Sequence, residues 1–288
     1  MRGWRAFAIL TGFLTLLSLG VGGIFLFLDL TGLPLGAVTR LTMGRTIFGL
    51  ITSLELLMIC FSAPALAAGA ITAEKEHQTY ELLRATPLSA RAIVLGKLFS
   101  ALAFTCLLLF AALPLLSLTF WIGGVLPSEV VLATLLLLMT ALTFCAVGVF
   151  FSSLFKRTMA STILTYLVVG LMVFGLPILI FLIFIGLTFA LGGDLNTLSA
   201  LQAGFWLTIG WILVSLNPIA TAIGTEIILL QGHSLYLYPL ALENGSSFPI
   251  PSPWMGYLIF SLVFSTVLIW ISIRLVAGTI VPHRREKA

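Results

Sequence analysis

The side chains of this 288-residue sequence best suited to hold a metal or move a proton near neutral pH are three histidines, three cysteines and ten carboxylates. His77, His233 and His283 lie far apart, without the spacing of metal ligands, so no metal site is expected from them. Cys60, Cys106 and Cys145 all stand in apolar runs and read as small hydrophobes, not as disulfide or metal partners. A phosphate-cradling loop needs G-x-x-x-x-G-K-[ST]. The sole Gly-Lys, Gly96-Lys97, is followed by Leu98 and lacks the upstream glycine. No Ser/His/Asp set can be assembled from one side of a membrane, so no catalytic residue is expected. Two carboxylates stand out because apolar residues surround them, where a charge is expensive. Glu55 and Glu226 are therefore candidates for a substrate path. Against that, Glu55 could make a structural hydrogen bond to a nearby Ser or Thr, and Glu226 could sit exposed near lipid headgroups.

The elements that carry these residues follow from composition. Hydrophobic residues make up 60% of the chain and charged residues 8%, against about 25% charged in an ordinary soluble domain. Fourteen basic and ten acidic side chains cannot cover the surface of a soluble fold this size. Most of the chain must be surrounded by an apolar medium, which makes it a polytopic membrane protein. Long unbroken apolar runs, without strand-like alternation, exclude a porin-like barrel. The 22 phenylalanines read mostly as lipid-facing or packing residues.

A bilayer core of about 30 Å takes roughly 20 helical residues. Runs of that length predict six transmembrane helices, near 6–28, 47–71, 92–120, 130–154, 158–182 and 256–278. The first is too long for a signal-peptide core and no A-x-A site follows it, so it reads as a retained helix. Six crossings place both termini on one side. All but two of the 14 Lys and Arg residues then fall on that side; Arg40 and Arg45 are the exceptions. The positive-inside bias makes that side the cytoplasm, in a multi-pass protein of the cell (inner or plasma) membrane. The net charge of +4 reflects this orientation and not nucleic-acid binding, because no basic stripe is interleaved with aromatics.

Between the fifth and sixth spans, about 184–254, apolar pieces are interrupted by Gly192-Gly193-Asp194 and by Asn217-Pro218. An external re-entrant hairpin over 198–230 fits best, with two further full spans as the alternative. Gln231 to Pro253 reads as an external loop. The whole chain, 1–288, reads as a single transmembrane domain of all-α class.

The one long charged connection is Glu74-Lys75-Glu76-His77-Gln78-Thr79-Tyr80-Glu81-Leu82-Leu83-Arg84, within about 72–97. Tyr80 and Leu83 share a helical face, and Pro87 disfavours helix at Thr86, so a short amphipathic helix ending near Ala85 is predicted. Ser89 is the expected N-cap of the third span. A solvated loop at the headgroups is the plainer reading of the same residues. The Lys156-Arg157 connection is too tight to reach far.

The run Ile71 to Ser89, with Thr86-Pro87-Leu88-Ser89 at its end and Gly96-Lys97 beyond, resembles the loop after the second helix in type 2 ATP-binding-cassette (ABC) permeases. That family carries acidic-basic-acidic residues, Gly-Thr, an acidic-Leu-Leu run, Thr-Pro-Leu-Ser and Gly-Lys. Asn217-Pro218, and Pro251-Ser252-Pro253-Trp254 ahead of a last helix that reaches Arg274, are similar to the family in a weaker way. Gln78 departs from it, standing where glycine is commonest.

The resemblance implies a cytoplasmic coupling helix seated in a groove of an ATPase subunit. It assigns the ATPase-coupling role to Glu74, Glu76, Thr79, Tyr80, Glu81, Leu82, Leu83, Thr86 and Pro87. It further implies that this chain holds no cofactor, that ATP and Mg are bound by separate cytoplasmic ABC ATPase subunits, and that a second permease subunit, identical or not, pairs with this one in the bilayer. Export is favoured over uptake, since the external loops are too small to dock a large binding protein. An ATP-independent channel or ion-coupled carrier would need charged relays within the spans; only Glu55 and Glu226 are available, without a basic partner at matching depth. A lipid-modifying enzyme would lack a catalytic cluster.

Overall fold

A computed structural model of the chain describes residues 3–31, 37–81, 88–190, 200–230, 236–241 and 247–280. Helices dominate: α1 Gly3–Thr31, α2 Ala37–Ala68, α3 Thr72–Glu76, α4 Ala90–Ile122, α5 Pro127–Leu154, α6 Thr158–Gly170, α7 Leu176–Ala190, α8 Ala200–Ser215, α9 Pro218–Leu230 and α10 Pro253–Ile280. A single π turn, Leu171–Gly175, joins α6 to α7. Six stretches are long and apolar enough to cross a membrane: Phe7–Leu26, Met43–Glu76, Ala90–Ile122, Pro127–Leu154, Thr158–Gly186 and Pro253–Gly278. Each contains most of its sequence-predicted span, and the protein is an all-α polytopic membrane protein.

Local chemistry sets the ends of these helices. Ser89 caps α4, its hydroxyl accepting from Ala92 N (3.3 Å), as expected for Ser at that position. Pro127 opens α5, where its missing N–H is harmless. Glu129 then reaches back to accept from Leu126 N (3.2 Å), satisfying a donor that the helix itself leaves unpaired.

The fourth span is the axis of the bundle. Of its most apolar window 56% is buried inside the protein, against 11% for the fifth span, which faces outward. Ala63 and Ala67 of the second span pack on Ala141, Phe144 and Cys145 of the fourth. Gly148 permits this closeness: a Cβ there would stand 2.5 Å from that of Ala67. A second cluster, with Phe13, Ile47, Ile51, Leu108 and Ala112, joins the first three spans. The sixth span is stitched to the fourth by buried hydroxyls, Tyr257 to Thr140 (2.6 Å) and Ser265 to Thr143 (3.2 Å).

The segment between the fifth and sixth spans forms a bent pair. Gly204–Ser215 and Pro218–Leu229 turn by 116° at the intervening Leu216-Asn217. At 1.5 Å per residue the two arms, α8 and α9, are about 24 and 20 Å long, each short of a bilayer core. Asn217 explains the bend. Its Oδ1 accepts from Ala220 N (2.8 Å), capping α9 one residue before Pro218. Its amide donates to the carbonyls of Met172 and Val173 (3.0 Å to Val173). Those carbonyls lie in the π turn, where the regular helical ladder is broken. The apex of the pair is thereby hooked to the middle of the fifth span. Within the residues read as an external loop, β1 (Leu237–Ala241) and β2 (Ser247–Pro251) pair antiparallel, a hairpin the sequence reading did not anticipate.

One expectation is corrected. The predicted continuous helix from Glu74 to about Ala85 is interrupted: α3 ends at Glu76, and His77 to Thr79 make a turn before Tyr80. Gln78 carries a φ of 56°, in the left-handed region. That conformation suits glycine, so Gln78 carries a backbone strain that a glycine would not.

Candidate functional site

The acidic-basic-acidic triplet at the charged end of the bundle is built into the protein. Lys75 sends its ammonium to three carbonyls at the end of the fourth span, those of Ser152 (3.3 Å), Ser153 (2.6 Å) and Phe155 (2.9 Å). A helix C-terminus presents unpaired carbonyls and a partial negative charge, and a cation placed there satisfies both. Glu76 does the converse at the start of the fifth span, accepting from Thr158 N (2.8 Å) and Thr158 Oγ1 (2.7 Å). The Ser152 hydroxyl accepts from Ile71 N (2.8 Å) and Thr72 N (3.0 Å), so α3 is held at its base as well. Glu74 forms an ion pair with Lys97 of the third span. One five-residue helix thus grips the ends of three spans.

Glu74 and Glu76, both assigned to ATPase coupling by the resemblance, have partners within the chain, and Glu76 is also exposed. Tyr80, also assigned to coupling, is 8% exposed, packs with the core, and lies under Lys75 at 5.8 Å. Glu76, His77, Gln78, Thr79 and Glu81 are the exposed residues of the described segment. Leu82, Leu83, Thr86 and Pro87 lie outside the described residues.

A cavity of about 600 Å³ lies between the second, fourth and fifth spans and α9. Its walls are mainly apolar, with Phe48, Leu56, Leu137, Val169, Val173 and Ile219 among them. At the end nearer the charged segment, the Tyr166 hydroxyl donates to the Phe61 carbonyl (2.8 Å), one turn before Pro64. At the far end stand Arg45, Glu129 and Glu226. Arg45 donates through Nη2 to Glu129 Oε1 (2.9 Å) and through Nε to the Gly124 carbonyl (3.0 Å). Glu226 Oε1 is 3.7 Å from Arg45 Nε. Gly44 makes this cluster sterically feasible, because a Cβ there would fall 1.8 Å from the Gly123 oxygen.

The two carboxylates proposed for a substrate path are separated. Glu226 lines the cavity; Glu55 does not, although its neighbours Thr52, Ser53 and Leu56 do. Helical spacing sets Glu55 on the face of Ile51 and Ile59, and it is 2% exposed. The sequence reading passed over Arg45, Glu129 and Thr225. A signal existed for the first, since Arg45 is one of two cations on the sparse side of the charge partition. Among the described residues no group of three His, Cys, Asp or Glu is placed to hold a metal ion.

Residues 33–286 match a family model described as ABC-2 family transporter protein. No curated protein matches the chain.

Proposed function

The chain belongs to the ABC-2 transporter family and is a permease subunit of an ABC transporter; from that premise we propose that it exports its cargo by alternating access, driven by ATP hydrolysis in a separate subunit. ATP and Mg are bound by cytoplasmic ABC ATPase subunits, and a second permease copy or a related chain completes the pathway. The protein sits in the cell membrane with both termini cytoplasmic.

The observation that carries this reading is the grip of α3 on the spans. A force on the 72–81 segment is delivered to the end of the fourth span through Lys75 and to the start of the fifth through Glu76. These two spans form walls of the cavity. The fifth span passes the displacement on through Asn217, hooked at its π turn, to α9, which bears Glu226. A push at the cytoplasmic end is thereby passed, contact by contact, to the wall that bears the far mouth. The exposed His77 to Thr79 turn and Glu81 supply the surface on which an ATPase groove seats.

The reading is tested with a cysteine at Glu81 and a short bifunctional crosslinker in native membranes. The expected product joins the permease to a subunit that carries a P-loop and hydrolyses ATP. Crosslinking to the permease alone, together with purification free of any ATPase, would contradict the proposal. A companion change, Leu83→Asp, is expected to lower ATPase co-purification, because loss of an apolar anchor typically costs on the order of 2 kcal/mol.

A further inference from the structure

Among the described residues the cavity is charged at one end only, and there two carboxylates, Glu129 and Glu226, stand against the single guanidinium of Arg45. Arg45 is already committed, to Glu129 and to the Gly124 carbonyl. Glu129 is 5% exposed and its second oxygen accepts from Leu126 N. Glu226 stands apart. Among the described residues its nearest cation is Arg45, a loose ion pair at 3.7 Å, and no hydrogen bond reaches it. Beside it is an independent sign of an absent ligand. Thr225 lines the same cavity, is 5% exposed, and its hydroxyl is buried without a partner. Buried hydroxyls are normally satisfied, and an orphan one calls for an explanation.

Resting on the reading of this cavity as the cargo path, we propose that its occupant is an amphiphile bearing a positive charge, seated with the cation at Glu226 and a polar atom at Thr225. The apolar body lies along Phe48, Leu56, Val169 and Val173, and about 600 Å³ is room for one drug-sized molecule. In apolar surroundings the attraction between a cation and the Glu226 carboxylate is much stronger than in water. An anionic amphiphile of the same shape would meet two carboxylates and an arginine already in use.

The test uses the purified permease in phosphatidylcholine nanodiscs with two matched probes, tetraphenylphosphonium and tetraphenylborate, of nearly equal size and opposite charge. Saturable binding is expected for tetraphenylphosphonium only. Glu226→Gln should weaken it about tenfold or more, equivalent to 1.4 kcal/mol, whereas Glu226→Asp should retain most of it. Unchanged tetraphenylphosphonium binding in Glu226→Gln, or equal binding of tetraphenylborate, would overturn the cation assignment. Ala222→Trp, which fills the cavity, separates the two levels of the proposal. If it abolishes binding while Glu226→Gln does not, the cavity stands as a binding site and the cation class falls. If it leaves binding intact, the cavity is not the site and both readings fall.

Discussion

Arg45 and Glu129 are the pair on which the far end of the bundle depends, and their energetics can be argued from burial. Removing the guanidinium leaves a nearly inaccessible carboxylate without its partner. Arg45→Met is expected to destabilise the protein by about 3 kcal/mol. The double change Arg45→Met with Glu129→Gln should recover more than half of that, a coupling readable by a double-mutant cycle of denaturant unfolding. Gln78 makes the opposite case. A glutamine at φ 56° carries a left-handed penalty, so Gln78→Gly should stabilise by roughly 1 kcal/mol, seen as a raised melting temperature. At this scale the sequence was partly legible. It singled out position 78 as odd and Glu226 as costly. It could not show that Glu74 and Tyr80 turn inward or that Glu76 caps the fifth span, because their partners Lys97, the core and Thr158 come from spans distant in the chain.

Spans were readable because a bilayer core imposes one length and one polarity on every crossing helix, and both are written in consecutive residues. The bend at Asn217-Pro218 was equally readable, since an amide cap followed by proline starts a helix wherever it occurs. The π turn at Leu171–Gly175 was not read, although Pro177 has no N–H to offer the Val173 carbonyl four residues earlier; what the sequence hides is that Asn217, some 44 residues away, takes up that carbonyl. Asn217→Ala removes a cap and two hydrogen bonds together, and is expected to lose about 2 kcal/mol and to shift α9 relative to the fifth span. The close approach at Gly148 is likewise invisible in one dimension. Gly148→Leu would drive a side chain into Ala67 and Ala68. It should destabilise by about 3 kcal/mol and reduce the amount of protein in the membrane. Normal expression and melting of that variant would show that the second and fourth spans can separate at no cost.

Viewed whole, the molecule has a charged end tied to three spans, an apolar cavity in the far half, and a hooked pair of short helices, one of which forms a wall of that cavity. The orientation inferred from the charge partition is checked with an impermeant thiol reagent. A cysteine at Gly245 should react from outside, and one at Arg285 only after the membrane is opened. The central claim is that the grip of Lys75 and Glu76 carries ATP-driven movement to the cavity. It is tested most directly by spin labels at Leu57 and Ile223, two exposed cavity-lining positions on facing walls, in a protein freed of its three native cysteines and assembled with its ATPase. Their separation should change when ATP is added. In Lys75→Met/Glu76→Gln, with the ATPase still bound and hydrolysing, the distance should stay fixed at its nucleotide-free value. An undiminished ATP-dependent change in that double variant would contradict the account.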